Sequence, residues 1–567
     1  MSPEPGTSPG PLAVDRRTLI ATAGAAGATL GMVGVSSGPA SAANRYFRHG
    51  VASGDPRPRS VVLWTRVTPT DAAQPGSGRG PTVTVRWQVA KDRRFRKVVA
   101  RGKVRTGPGR DHTVKLDARG LAPATSYFYR FSYGGVTSRV GRTRTAPREK
   151  ADNARLRFGL VSCSNLQAGW FSPYRHLAAR NDLDAVLHMG DYIYEYAPGE
   201  YGYGQGNQDV RPHDPPREMV SLADYRRRHA QYKQDPDLQK LHAKAAFITT
   251  WDDHESTNDA WRGGAENHNE GEGGWRARRR HAYRAYDEWM PTRMGSAAEV
   301  GDGTRLFRRL RFGTLVEISM LDLRTYRSQQ AQYAVTPVPS PDPAIDDPDR
   351  TITGNKQMAW LKRSLAGNRT LWKLVGNPVM IAPVQFPPLP DAILTGVQDV
   401  TKLYPPDGAP YNVDQWDGYT ADRRELFRHL QNRGVRNAVF LTGDIHSGWA
   451  CDLPVDAGTY PVSSSVGTEF VCTSVTSNNL KDITGDPTGV TSTTVEEGIK
   501  GLNRHVKYLN FDDHGFSVVD IDRRRLQVDY FIISDRRDRR ATVQRTASWA
   551  TRVNSQRVHQ VDRGIDG

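Results

Sequence analysis

The residues able to do chemistry in this chain fall at the ends of apolar runs. Cys163 follows Leu156–Val161, and Asp191 and Tyr194 follow Ala185–Met189. Asp252, Asp253 and His254 follow Phe247–Trp251, and Asp444 and His446 follow Ala438–Thr442. Singly, each has an ordinary explanation: a carboxylate after a strand caps a helix or turns the chain, and a histidine on a loop is solvated. Jointly they ask for more. Gly-Asp-x-x-Tyr, Asp-His-Glu and Gly-Asp-x-His place ligand types at the spacing of a binuclear metal centre. Carboxylates packed that closely repel one another and hold their protons, a penalty that bound cations remove. The apolar runs are therefore expected to converge on one edge of one sheet.

The elements that must position these residues read as strands alternating with helices. Further runs at Leu315–Leu321, ending in Asp322, and at Trp372–Val375 join those above, and Pro173–Arg180 reads as a helix. This is the grammar of an α/β layered domain whose site lies beyond the carboxyl ends of its strands, here spanning 154–545 and followed by a C-terminal segment, 546–567. The preceding 44–147 differs. Short runs at Ser60–Arg66, Thr82–Val89, Thr113–Leu116 and Ser126–Tyr133, separated by Gly-rich turns, predict a β-sandwich. Leu121–Tyr127 is similar to the tyrosine-corner region of fibronectin III-like modules. Pro- and Gly-rich 198–216 and 335–348 read as surface loops.

The first 43 residues lie outside this fold. Arg16-Arg17 precedes a weakly apolar run rich in Ala and Gly, closed by Ala40-Ser41-Ala42. That is the charged, apolar and cleavable pattern of an export signal, and its arginine pair resembles a twin-arginine signal. The expected location is the cell envelope or the exterior, with the twin-arginine translocase as a partner during export. With 37% hydrophobic and 25% charged residues over a length of 567, the chain reads as a soluble multidomain protein. A net charge of +17 suits anionic substrates. The arginine runs at 226–228, 278–280 and 523–525 lack interleaved aromatics, which argues for a solvated surface against a dedicated nucleic-acid-binding module. No amphipathic lipid-binding helix is evident, so membrane contact has no support, and a monomer is expected. Of three cysteines, Cys451 and Cys472 are compatible with a disulfide in an oxidising compartment, or equally with two buried free thiols.

Set side by side, Gly190–Glu195, Trp251–Glu255 and Leu441–Gly448 resemble the PhoD-type alkaline phosphatase/phosphodiesterase family, calcineurin-like metallophosphoesterases in the wide sense. Val51–Pro56 with Leu63–Arg66, Ser162–Ser164 and Leu321–Arg327 match in the same order, across nearly the whole mature chain. The resemblance implies a centre of ferric iron, Fe(3+), and calcium, Ca(2+). Cys163, Asp191, Tyr194, Asp444 and His446 would hold the iron. Asp191 would bridge to calcium, completed by Asp253 with Asp252 and Asn258. Sulfur, phenolate and imidazole suit iron, and an all-oxygen set suits calcium. Cys163 stands near where the commoner metallophosphoesterases carry Asp-x-His, and Asp253 where Asn is usual, which argues against a zinc or manganese pair. The expected reaction is in-line attack of a metal-bound hydroxide on phosphorus. His254 either protonates the leaving group or orients the phosphate, or else supports the site from behind. Arg324 either grips phosphate bidentately or forms a salt bridge to Asp322 or another acid. Asn377, in Gly376-Asn377-Pro378, reads as turn chemistry. A phospholipase D-like phosphodiesterase and a non-catalytic cell-surface binding protein are the alternatives.

Overall fold

The computed structural model describes residues 45–567, except 296–304, 332, 335–339, 342, 368 and 387–408. The expected export signal and part of the loop at 335–348 lie outside the described residues.

Two large sheets face each other. The ten-stranded sheet runs, in order, Val558–Gln560, Val543–Arg552, Arg525–Ile533, Gly515–Asp522, Arg155–Val161, Ala185–His188, Ala246–Thr249, Val51–Arg57, Ser60–Arg66 and Thr113–Arg119. The seven-stranded sheet runs Arg308–Phe312, Val316–Met320, Trp372–Asn377, Ala438–Thr442, Ser465–Val471, Gly448–Pro454 and Val506–Asn510. Parallel pairing joins Arg155–Val161, Ala185–His188, Ala246–Thr249 and Val51–Arg57 in the first sheet, and Val316–Met320, Trp372–Asn377, Ala438–Thr442 and Ser465–Val471 in the second. The inner ones are apolar on both faces because both faces are covered. Phe158, Leu160, Leu187 and Ile248 of one sheet pack on Ile318, Leu374, Val439 and Leu441 of the other. On the outer face of the ten-stranded sheet, Val161, Val186 and Phe247 meet Tyr174, Leu177, Tyr225, Leu241 and Tyr286 from the helices Ser172–Ala179, Leu222–Gln234, Pro236–Lys244 and Trp275–Trp289. On the outer face of the other, Val375 and Phe440 meet Leu361, Leu426 and Leu430 of Asn355–Leu365 and Thr420–Asn432. The result is four layers, α/β/β/α, of the layered α/β class expected.

The N-terminal region does form two packed layers, closed over Val61, Leu63, Val85, Val89, Tyr129 and Phe131. Tyr127 accepts a hydrogen bond from the Ala122 N–H at 2.8 Å, pinning the bend before its strand. One of these layers, however, is the end of the ten-stranded sheet: Val51–Arg57 pairs in parallel with Ala246–Thr249. Asp55 locks this junction. Its carboxylate takes a bidentate grip from Arg308 (2.6 and 2.7 Å) and the Arg293 N–H (2.7 Å). A Cβ on Gly54 would lie 2.1 Å from the Pro291 carbonyl, so only glycine allows that approach. At the other end of the chain, the strand Val543–Arg552 crosses the expected boundary at 545, and Val558–Gln560 adds the last strand.

One open alternative closes and one expectation is corrected. Cys451 and Cys472 are free thiols. Trp449 pairs with Val471 on one face of the seven-stranded sheet, and Cys451 shares that face, whereas Cys472 packs in the core between the sheets. Their sulfurs point to opposite sides, so no bridge can close. The arginine runs are not simply a solvated surface either. Arg226, Arg228 and Arg278 are buried. Arg226 holds Glu288 bidentately (2.7 and 2.8 Å), and Arg278 holds Glu218 and Glu272 (both 2.5 Å). Among the described residues no helix is long and apolar enough to cross a membrane.

Candidate metal centre

The chemistry-bearing residues do meet, but at the junction of two sheets. Cys163, Asp191, Asp252 and Asp253 lie beyond strands of the ten-stranded sheet, while Asp444 and His446 lie beyond Ala438–Thr442 of the seven-stranded one. The facing strand ends approach closely enough that a Cβ on Gly443 would lie 2.6 Å from that of Ser162 and 3.1 Å from that of Met189. Turning the chain so sharply into the site strains it. Cys163 (φ 58°), Asp191 (φ 55°), Asp444 (φ 68°) and His446 (φ 54°) all adopt left-handed backbone, which costs L-residues free energy and concentrates at functional sites.

Asp191 is the shared vertex. Its carboxylate belongs with Cys163 and His446, with Asp253 and His254, and with Asp252 and Asp444, the ligand atoms of each group lying within 4.8 Å of one another. Tyr194 joins through its hydroxyl, which donates to Asp191 Oδ2 at 2.9 Å, stands 3.4 Å from His446 Nε2, and accepts from Ser477 Oγ at 2.6 Å. The Asn478 carbonyl lies 2.7 Å from His446 Nδ1, which fixes the tautomer and leaves Nε2 facing the cluster. Arg228, buried among backbone carbonyls that include that of Tyr194, holds the loop behind the phenol. Glu255 accepts from the backbone N–H groups of Asp191 (3.1 Å), Tyr192 (2.7 Å) and Asp252 (2.9 Å), tying two ligand loops together. Burial pushes its carboxyl up to about 8.

The electrostatics are those of a site built for cations. Burial drives the Asp191 carboxyl well above the carboxylate range, and Asp253, Asp252 and Glu255 add to this against the pull of His254. Burial and the Asp191 charge raise the Cys163 thiol and the Tyr194 phenol in the same way. Asp191 Oδ1 and Asn258 Oδ1 are buried without any hydrogen-bond partner, which in a folded interior costs about 1–3 kcal/mol each. A thiol, a phenol, an imidazole and orphaned carboxylate oxygen around one point fit a transition metal, and the oxygen-rich side at Asp253 and Asp252 fits a hard divalent ion.

His254 is held through one ring nitrogen. Its Nδ1 lies 2.8 Å from Glu195 Oε2, and its ring packs on Tyr194 at 4.2 Å between centroids. Burial disfavours its charge, yet Asp253, Glu195 and Asp191 outweigh that and hold it protonated well above the usual range. Arg324 contacts acids: Asp252 through Nε (2.6 Å) and Nη2 (3.0 Å), and Asp414 through Nη1 (2.9 Å) and Nη2 (2.8 Å). The salt bridge is therefore with Asp252 and Asp414; from Arg324, Asp322 accepts the backbone N–H, at 3.3 Å, and nothing of the guanidinium. Asp414, Glu195, Ser477 and Asn478 carry no signal of their own in the sequence, although Glu195 closes the Gly190–Glu195 motif. Asn377 donates to the Val379 carbonyl at 2.6 Å, the turn expected of it.

A PhoD-like phosphatase profile matches residues 158–530 of the chain. The chain belongs to the PhoD-like phosphatase family. The profile of the N-terminal domain of PhoD-like phosphatases matches residues 34–147. Alkaline phosphatase D of Bacillus subtilis (strain 168) is 35% identical over 528 residues, covering 92% of this chain and 84% of that protein. The solved structure of PhoD superposes with a TM-score of 0.79 at 33% identity, over 93% of this chain and 94% of that one. This PhoD-like phosphatase is an enzyme, a hydrolase of phosphoric esters that depends on metal. The non-catalytic binding reading is set aside.

Proposed function

We propose that the enzyme hydrolyses phosphate mono- and diesters at the cluster around Asp191. Cys163, Asp191, Tyr194, Asp444 and His446 hold ferric iron in this reading, and Asp191 with Asp253, Asp252 and Asn258 holds calcium. The observation that carries it is Asp191, the one carboxylate common to the sulfur- and nitrogen-bearing group and to the oxygen-rich one. Bound there, the ions supply Lewis acidity toward the phosphoryl oxygens and acidify a water for attack.

The chain does the rest. Ser477 and Asp191 aim the Tyr194 oxygen, and the Asn478 carbonyl aims His446. Glu195 holds His254 by Nδ1, which leaves its Nε2 proton, 4.0 Å from Asp253 Oδ1, for the leaving oxygen or the phosphate in this reading. Arg324 neutralises Asp252 and Asp414, which lets acids stand near the calcium side without an excess of charge. Its role is to position them.

The purified active enzyme should be coloured, because thiolate and phenolate on ferric iron absorb visible light. Mild chelation should abolish turnover reversibly and leave the colour, since oxygen-held calcium exchanges faster than iron held by sulfur and nitrogen. Cys163→Ser should shift or bleach the band. A colourless, fully active enzyme holding only zinc or manganese contradicts the metal assignment and spares the phosphoesterase.

Export by the twin-arginine route, with release to the envelope or exterior, is the reading that Arg16-Arg17 supports. Replacing both by lysine should retain the enzyme in the cytoplasm. Undiminished secretion of that variant would reject the route.

A further inference from the structure

The aromatic stack at the metal centre does not end at His254. Tyr201 lies nearly parallel to both buried rings, 5.9 Å and 27° from Tyr194 and 6.2 Å and 25° from His254. Tyr196 sits beside it, 5.0 Å away at 41°, and 5.5 Å from His254. Burial falls off along the stack. Tyr194 is 0% and His254 4% exposed, whereas Tyr196 and Tyr201 are only half-buried. The rings thus lead from the site toward solvent on the His254 side.

The loop that carries Tyr201 is held by its backbone. The Tyr201 carbonyl accepts from Asn165 Nδ2 at 2.6 Å, and the next carbonyl, of Gly202, accepts from Asn478 Nδ2 at 2.9 Å. Asn478 Oδ1 accepts from the Gly204 N–H at 3.1 Å. Since the Asn478 carbonyl also meets His446, the same residue fixes a ligand of the centre and the height of this loop above it. Loop and centre are in register whatever side chain occupies 201.

We propose that Tyr201, with Tyr196 beside it, is the leaving-group subsite: a stacking shelf that favours phosphate esters whose leaving group bears a flat aromatic ring. A ring placed on the half-exposed end continues an offset stack that the protein has already built, and such contacts add to the area they bury. This rests on the reading that phosphate is bound beside Asp191 with the leaving oxygen toward His254.

The test compares naphthylmethyl phosphate with cyclohexylmethyl phosphate, both esters of primary alcohols, on the metal-loaded enzyme. The quantity read is the ratio of their kcat/KM values, in which intrinsic reactivity cancels between variants. Tyr201→Ala should lower that ratio about tenfold, mainly through KM of the naphthyl ester. Tyr201→Phe should keep it, and Tyr201→Leu, bulky without a π-face, should behave as the alanine variant. An unchanged ratio in Tyr201→Ala overturns the shelf, including the case where both rates fall together, which assigns the ring to propping Tyr194 and His254. Wild-type enzyme that cleaves both esters without preference also sinks the shelf alone. Wild-type enzyme that cleaves neither removes the underlying reading of the site.

Discussion

Asp191→Asn is expected to lower kcat/KM by about a thousandfold or more. It removes the one charge common to the groups that hold Cys163 and His446, Asp253 and His254, and Asp252 and Asp444, and metal-derived stabilisation of the transition state is worth several kcal/mol, each 1.36 kcal/mol being about tenfold in rate. The metal-free protein should respond in the opposite sense. Burial and the neighbouring acids raise the Asp191 carboxyl in the fold. A carboxyl raised on folding contributes its stability below its unfolded value, about 4, and loses it as pH climbs toward the folded one. Asparagine has no charge to develop. Metal-free Asp191→Asn should therefore match wild type in thermal melts at acid pH and exceed it increasingly at neutral and alkaline pH. Metal-loaded, the order should reverse. A variant equally unstable in both states would assign Asp191 to the scaffold.

The second large effect concerns His254 and Glu195. His254→Ala should lower kcat by about a hundredfold or more, the usual scale for a positioned proton donor. Glu195→Gln keeps the hydrogen-bonding shape but removes the charge that, after Asp253, does most to keep His254 protonated. The sign is fixed. An anion raises the imidazole above its ordinary value, so removing it lets the proton leave at lower pH, and the basic limb of the kcat profile should move to lower pH. With cations neutralising Asp191 and Asp253, Glu195 carries still more of this effect in the loaded enzyme. A profile that stays in place while kcat falls would make Glu195 a packing residue only. Esters with strongly acidic leaving groups should suffer least in His254→Ala, since they need no proton.

Much of this was legible along the chain. Residues that must approach a common point sit directly after buried strands, and buried parallel strands announce themselves as unbroken apolar runs. Ala438–Thr442 is such a run, and its Gly-Asp-x-His tail falls where the site is. What stayed hidden depends on which surfaces meet. The ligands come from two sheets because the facing layers share one core through alternate residues, such as Leu187 inward and Val186 outward. Neither half of that alternation is visible in a run apolar throughout. The edge strand Val98–Thr106 escapes notice because its outward positions include Arg101, Lys103 and Arg105, charges that keep an exposed edge from pairing. Asp414 is tied to Arg324 and Arg327 by long-range contact alone. Arg226 and Arg278 read as surface because burial of an arginine is decided by a distant carboxylate, here Glu288 and Glu218. The two thiols were separable only once pairing register set Trp449 against Val471.

The claim at the centre of this account is that Asp191 joins an iron site containing sulfur to a calcium site of oxygen. Anomalous scattering from crystals of the active enzyme, recorded on either side of the iron absorption edge, tests it directly. The account predicts an iron peak enclosed by Cys163 Sγ, Tyr194 Oη, His446 Nε2 and the carboxylates of Asp191 and Asp444, with a second, non-iron cation on the Asp253 side of Asp191. Iron absent from that position in enzyme of full activity, or a single ion with no contact to Asp191, would contradict it.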